Sequence, residues 1–286
     1  LRKLNYFALV HALLMLFVVL VTLYPFYYML VISLSGQAFV LRGDVFLWPK
    51  GFNLGMYEYV VKDGRIFTGY KNTLIFVTLG TAISLLLTSM GAYALSKKTM
   101  VLSKTFMILI VITIFFQGGM IPTFLVVKQL GLVNTIWSMV LPGAVATWNL
   151  IIMRTFFANI PKELEESGKL DGLSDIGIFA QIVIPLSKPV FATIGLFYSV
   201  QIWNNYMGPL IYLRDAGLFP LQVMLREIVL AGQLTGSEGA VSDDYIMAID
   251  SLKYATVMMS TIPILLIYPF LQKYFVKGAL IGSIKG

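Results

Sequence analysis

The feature that most constrains this chain is where its charges are missing. Six stretches carry no Asp, Glu, Lys or Arg: Phe7–Leu34, Asn72–Ser96, Thr105–Val127, Gln129–Met153, Pro189–Leu213 and Tyr254–Gln272. A helix needs about 20 apolar residues to cross the hydrocarbon of a bilayer. All 21 Lys and Arg and all 14 Asp and Glu fall between these windows. One such window would suit a buried helix in a soluble core. Six of them leave too little charge for a water-facing surface: the chain is 12% charged, against about 25% in soluble domains. The sequence therefore reads as an all-α integral membrane protein, with six transmembrane helices over these windows in one domain spanning 1–286. The first window does not read as a cleaved signal peptide. Its apolar run is too long, and Tyr24-Pro25-Phe26-Tyr27-Tyr28 continues it without a small-residue cleavage site.

Six spans put both termini on one side. That side holds twelve of the Lys and Arg residues, including Lys97, Lys98 and Lys104 in a short loop and Lys273, Lys277 and Lys285 in the tail; the other side holds nine. Positive charge is retained in the cytoplasm, so both termini are expected there.

The same composition excludes several functions. There is no Cys and one His, His11, so disulfides, thiolate metal sites and His-pair metalloprotease centres are out. No carboxylate, Lys or Arg lies within a window, which removes proton relays and voltage sensors. No G-x-x-x-x-G-K-[ST] loop is present, so no nucleotide hydrolysis is expected in this chain. Acidic clusters occur only in the 154–188 loop and at Asp243-Asp244, without a His or Arg nearby in sequence, which argues against a membrane-embedded transferase. Sodium coupling through carbonyls and hydroxyls, or a passive channel, remains open. Uphill transport by this chain would draw its energy from a partner.

The loops differ in character. Ser35–Lys71 is expected outside, with a turn at Trp48-Pro49-Lys50-Gly51-Phe52. Residues 214–253 form a second external, periplasmic loop, with a short helix over Leu218–Leu230 and an irregular Gln233–Gly239 stretch. Residues 154–188 form the cytoplasmic loop with the strongest local signals. Pro161 suits a first helical turn, and Glu163, Glu165 and Glu166 favour its N-terminal end. Gly172 terminates that helix. Ser174 caps a second one, with Ile176, Phe179, Ile182 and Val183 on one face, ended by Pro185. Two short helices joined at Leu170-Asp171-Gly172 would project from the membrane as a docking element.

This loop resembles the EAA signature of permease subunits of bacterial ATP-binding-cassette importers: E-A-A, three residues, G, nine residues, I-x-L-P. Glu166-Ser167-Gly168 takes the E-A-A place, Gly172 follows after three residues, and Ile182-Val183-Ile184-Pro185 after nine. Ser167, Gly168 and Ile184 replace Ala, Ala and Leu. The flanks Ile160-Pro161-Lys162-Glu163-Leu164 and Pro185-Leu186-Ser187-Lys188-Pro189 look like the maltose-type sugar permeases. So do Ala92-Tyr93-Ala94-Leu95-Ser96, Trp203-Asn204-Asn205-Tyr206 and Phe275-Val276-Lys277-Gly278. Gln117-Gly118-Gly119-Met120-Ile121-Pro122 and the Gly278–Gly286 ending look like the branch for complex oligosaccharides, to which alginate-type importers belong.

The resemblance implies a type I, MetI-like permease fold in the bacterial inner membrane. It implies a homologous second permease, two cytoplasmic ATPase subunits, and a periplasmic or lipid-anchored binding protein that delivers an oligosaccharide. ATP and Mg would reside in the ATPase subunits, with no cofactor in this chain. The coupling residues would be Glu165, Glu166, Ser167, Gly168, Leu170, Asp171, Gly172 and Pro185, and the loop would pass ATPase motion to the fourth and fifth helices. Candidate sugar contacts are the polar and aromatic residues least suited to lipid: Gln117, Trp148, Asn149, Tyr198, Gln201, Trp203, Asn204, Asn205 and Tyr206. Pro209 is the expected kink of the fifth helix. The amides could equally tie helices together.

Overall fold

The computed structural model describes residues 6–97, 99–235, 251–263 and 265–266. Among these residues every regular element is helical. The chain divides into two compact units, residues 1–67 with 224–266, and residues 68–223 with 267–286.

The first unit opens with α1 (Tyr6–Ser33), followed by α2 (Gln37–Leu41) and α3 (Gly55–Asp63). α1 is apolar around its whole circumference, as a membrane span is. The segment after it folds back on the helix end. Gly36 N–H donates to the Lys50 carbonyl at 2.9 Å and Asn53 N–H to the Leu34 carbonyl at 3.0 Å. The Tyr27 hydroxyl donates to the Leu47 carbonyl. Gly51, in the turn expected at 48–52, has φ +62°. Val31, Ile32 and Val45 bury there against Tyr28, Val40 and Tyr254.

The long helix α4 (Arg65–Ser96) begins seven residues before the second charge-free window and is unbroken throughout. α1 and α4 are each long and apolar enough to cross a membrane.

Three windows read as single spans are broken helices. Thr105–Val127 divides into α5 (Ser103–Phe115) and α6 (Met120–Gln129), bent by 116°. The break comes where Phe116 turns extended and Gly119 takes φ +81°, a value that suits glycine alone. Gln129–Met153 holds only α7 (Trp137–Val140) and the start of α8 (Thr147–Ala158). Pro142 and Gly143 stand in the gap, and a Pro there has no N–H to continue the ladder. α8 also runs five residues past its window, into the loop. Pro189–Leu213 divides into α12 (Lys188–Trp203) and α13 (Met207–Tyr212). The kink expected at Pro209 falls instead at Asn204–Tyr206. Pro209 sits in the first turn of α13, where its missing N–H would have had no helical partner anyway.

The loop helices form much as the sequence predicts. α9 spans Lys162–Leu170, with Pro161 one residue earlier than expected, at the cap. α10 (Asp175–Ile178) continues through a π-helical turn, Phe179–Val183, into α11 (Ile184–Leu186). Pro185 therefore lies inside the second helix, which ends one residue later. The ring of a mid-helix Pro collides with the carbonyl four residues back and removes one bond. The wider π turn just before Pro185 accommodates both defects. Between Asp175–Leu186 and Lys188–Trp203 the chain bends by 83°.

The core of the second unit is Ala92, Tyr93, Met153, Phe157, Ile178, Val183, Val190, Ile194 and Tyr198, drawn from α4, α8, the loop helix and α12. α4 and α12 approach closely because glycines face bulky partners. A Cβ on Gly80 would lie 2.7 Å from Ile202 Cδ1, and one on Gly195 3.2 Å from Leu85 Cδ1. Between them the hydroxyls of Thr81 and Ser199 pair at 3.0 Å and those of Thr88 and Tyr198 at 2.7 Å. Small residues and hydroxyls are how helices associate where lipid supplies no hydrophobic drive.

α14 covers Leu221–Thr235, three residues later at its start than the expected helix. It takes in Gln233–Thr235, which the sequence suggests is irregular; residues 236–250 lie outside the described residues. Residues 251–263 and 265–266 are helical at the start of the sixth window. The rest of that window, Lys98, and the tail motifs at 275–278 and 278–286 also lie outside them.

Candidate functional site

The loop forms a hairpin whose joint is a full Schellman turn. Gly172 N–H donates to the Lys169 carbonyl at 3.0 Å and Leu173 N–H to the Gly168 carbonyl at 2.9 Å. The turn requires φ > 0 at one residue, and Gly172 supplies it at +81°. Ser174 Oγ accepts from Gly177 N–H at 3.2 Å and caps the second arm. The arms meet at Gly168. A Cβ there would lie 2.7 Å from Ile182 Cδ1 and 3.2 Å from Ile178 Cγ1. That is why a small residue stands in the last place of the E-A-A triplet. A weaker tie joins Lys169 to Asp175 at 3.7 Å, both well exposed.

Unlike the joint, the tip is apolar and unprotected. Leu170 is 89% and Ile176 79% exposed. Glu166, Ser167, Asp171 and Gly172 are exposed beside them. Two large aliphatic side chains flanked by carboxylates make a face suited to a partner's groove with a basic rim.

Glu165 has a different position. Its carboxylate pairs with Lys97, at the end of α4. The Lys97 ammonium also lies 4.0 Å above the Tyr93 ring, and the Tyr93 hydroxyl donates to the Asp175 carbonyl at 3.4 Å. Arg154 Nε donates to the Leu95 carbonyl at 3.3 Å. Tyr93, Phe157, Phe179 and Phe191 pack together in edge-on and tilted pairs, with centroids 4.9 to 6.4 Å apart. Sequence reasoning misses Lys97 as a partner of the hairpin and Arg154 as a partner of the α4 end. The available signal is that each follows closely on a charge-free window, where a cation can meet helix-end carbonyls and a carboxylate.

The residues expected to contact sugar differ in burial and in hydrogen bonding. Tyr198 is 1% exposed. Besides pairing with Thr88, its hydroxyl accepts from Ala146 N–H at 2.9 Å. It thus satisfies a backbone donor where the chain unwinds before α8, a structural duty. Asn149 is buried; Trp148, Gln117, Gln201 and Tyr206 are exposed. Asn204 Nδ2 donates to the Val200 carbonyl at 2.9 Å. Asn205 Oδ1 accepts from Gly208 N–H at 3.1 Å, which starts α13. Trp203 Nε1 is buried with no hydrogen-bond partner. The first two helix breaks do meet: Gly118, Pro122, Leu141 and Pro142 line one open cavity of about 460 Å³. Thr113 and Thr147 hydroxyls pair nearby at 3.0 Å. Non-helical backbone at membrane depth is tolerated where it is buried in protein or lines a water-filled cavity.

Residues 100–281 match the family model described as the inner membrane component of binding-protein-dependent transport systems. This chain belongs to that family. It is 43% identical over 273 residues to the polygalacturonan/rhamnogalacturonan transport system permease protein YtcP of Bacillus subtilis (strain 168), covering 93% of this chain and 94% of YtcP. Protein LplC of the same organism is 41% identical over 266 residues, covering 93% and 90%. The fold matches a chain in the crystal structure of a bacterial ABC transporter involved in the import of the acidic polysaccharide alginate. The TM-score is 0.86 at 33% identity, over 96% of this chain and 98% of that one.

Proposed function

We propose that this chain is the permease subunit of an ATP-driven oligosaccharide importer. In this reading it pairs with a homologous second permease in the bacterial inner membrane, with both termini cytoplasmic. Two cytoplasmic ATPase subunits bind the Mg and ATP. A periplasmic or lipid-anchored protein delivers the sugar. The exposed tip, with Leu170 and Ile176 flanked by the Glu166 and Asp171 carboxylates, sits in a groove of one ATPase subunit. The chain itself does no chemistry; it positions the hairpin and opens a path. The observation that carries the reading is the hairpin: a capped, glycine-jointed element whose inner face is packed and whose apolar tip is left free. The functions named for the relatives, polygalacturonan and rhamnogalacturonan transport and alginate import, support a complex oligosaccharide as substrate.

Loosened backbone serves the path. The breaks at 116–119 and 141–146 contribute Gly118, Leu141 and Pro142 to the shared cavity, and peptide groups left outside the helical ladder there would hydrogen-bond sugar hydroxyls. Gln117, Trp148 and the unpaired Trp203 N–H are the side-chain groups we assign to sugar contact; the buried Tyr198 is not among them. The test is purification of a tagged chain in mild detergent. ATPase subunits should accompany it, and hydrolysis should rise with binding protein and oligosaccharide. A chain that comes down alone contradicts the reading.

A further inference from the structure

We propose that the Lys97–Glu165 ion pair is the joint through which the coupling hairpin moves α4, and that α4 is the strut carrying this motion to the opposite end of the unit. This rests on the importer reading. It adds α4 to the fourth and fifth helices that the sequence expects to receive the motion.

Stiffness singles out α4. Within residues 68–223, it is the one described helix that is both long and unbroken. α5 and α6 meet at 116°, and α12 meets the hairpin at 83°. α8 stops at its unwound start, and α12 ends at Trp203. A bent or interrupted helix absorbs displacement at the break, whereas a continuous one passes it on. From Asn72 to Lys97 the axis runs about 37 Å at ~1.5 Å per residue, which is more than the hydrocarbon thickness.

Both ends of α4 are fastened. At the hairpin end the Lys97 and Glu165 side chains are 22% and 21% exposed, so their attraction is less screened than that of a surface pair. Tyr93 and Arg154 add the contacts given above. At the opposite end Asn72 Nδ2 donates to the carbonyls of Gly217 at 2.8 Å and Phe219 at 3.1 Å. Thr73 Oγ1 accepts from Leu221 N–H at 2.9 Å. Asn72 and Thr73 are both buried. The segment they hold is tied in turn to Asn134, whose Oδ1 accepts from Arg214 and Asp215 N–H at 2.9 and 3.0 Å. Two adjacent carboxylates thus divide the work. Glu165 binds inward to α4, and Glu166 faces outward.

The experiment uses the full complex in proteoliposomes and reads oligosaccharide taken up per ATP hydrolysed. Variants are Lys97→Met, Glu165→Gln and both together. Each single variant should assemble with its ATPase subunits, hydrolyse ATP, and lose about tenfold in uptake per ATP, the range of ordinary allosteric couplings. The double variant should lose no more than either single one, because the pair acts once. A merely structural pair would lower the amount of complex and leave the ratio unchanged. Single variants with the native ratio, or losses that multiply in the double variant, overturn the inference while leaving the importer reading standing. A native preparation without ATPase subunits overturns both.

Discussion

Gly172 and Tyr198 show how one residue's chemistry separates roles that composition merges. Gly172 holds φ +81° in an exposed joint, with nothing within 4 Å of where a Cβ would stand, so the backbone and not crowding demands glycine. Gly172→Val should cost about 1–2 kcal/mol in the hairpin turn and abolish uptake, with the subunit still in the membrane fraction. Normal uptake would refute the coupling role. In the sequence, Tyr198 reads as a sugar contact because an aromatic with a hydroxyl suits one. Its burial against Thr88 and Ala146 is invisible there, since the partner N–H is freed only by the unwinding before α8. Tyr198→Phe strands that N–H and should destabilise the complex by about 1–3 kcal/mol, seen as a lower Tm in detergent, with the apparent affinity for oligosaccharide unchanged.

At the scale of elements, the hairpin is legible in the sequence and the membrane helices are legible only in outline. Caps, stops and apolar spacing are local signals, and Pro161, Gly172 and Ser174 place the hairpin within a residue or two. The charge-free windows locate membrane segments, but charge says nothing about continuity. Phe116–Gly119, 141–146 and Asn204–Tyr206 are as uncharged as the helices they interrupt. Gly118-Gly119 and Pro142-Gly143 carry a breaking signal that the long apolar runs mask. The hairpin's packing gives a graded prediction. Gly168→Ala asks only the terminal methyl of Ile182 and its neighbour Ile178 to shift, and should keep uptake near native. Gly168→Leu would pry the arms apart and should abolish it. Equal behaviour of the two variants would contradict the packing. At the other end of α4, Asn72→Ala combined with Thr73→Val should lower uptake per ATP as the Lys97 variant does, with the complex still assembled.

For the whole molecule, the charge-free windows of the sequence and the packed hairpin both fit the proposed importer, in which a partner supplies the energy and the exposed tip receives it. Sodium coupling is the alternative that the sequence leaves open, because carbonyls exposed at helix breaks can bind a cation as well as a sugar hydroxyl. The measurement that separates them is uptake of labelled oligosaccharide by proteoliposomes holding the purified complex and its binding protein. An ATP-driven importer coupled through the hairpin predicts uptake that requires ATP and Mg on the hairpin side, is indifferent to a sodium gradient, and vanishes in the Gly172→Val complex. Uptake driven by sodium without ATP, or undiminished in that variant, would contradict it.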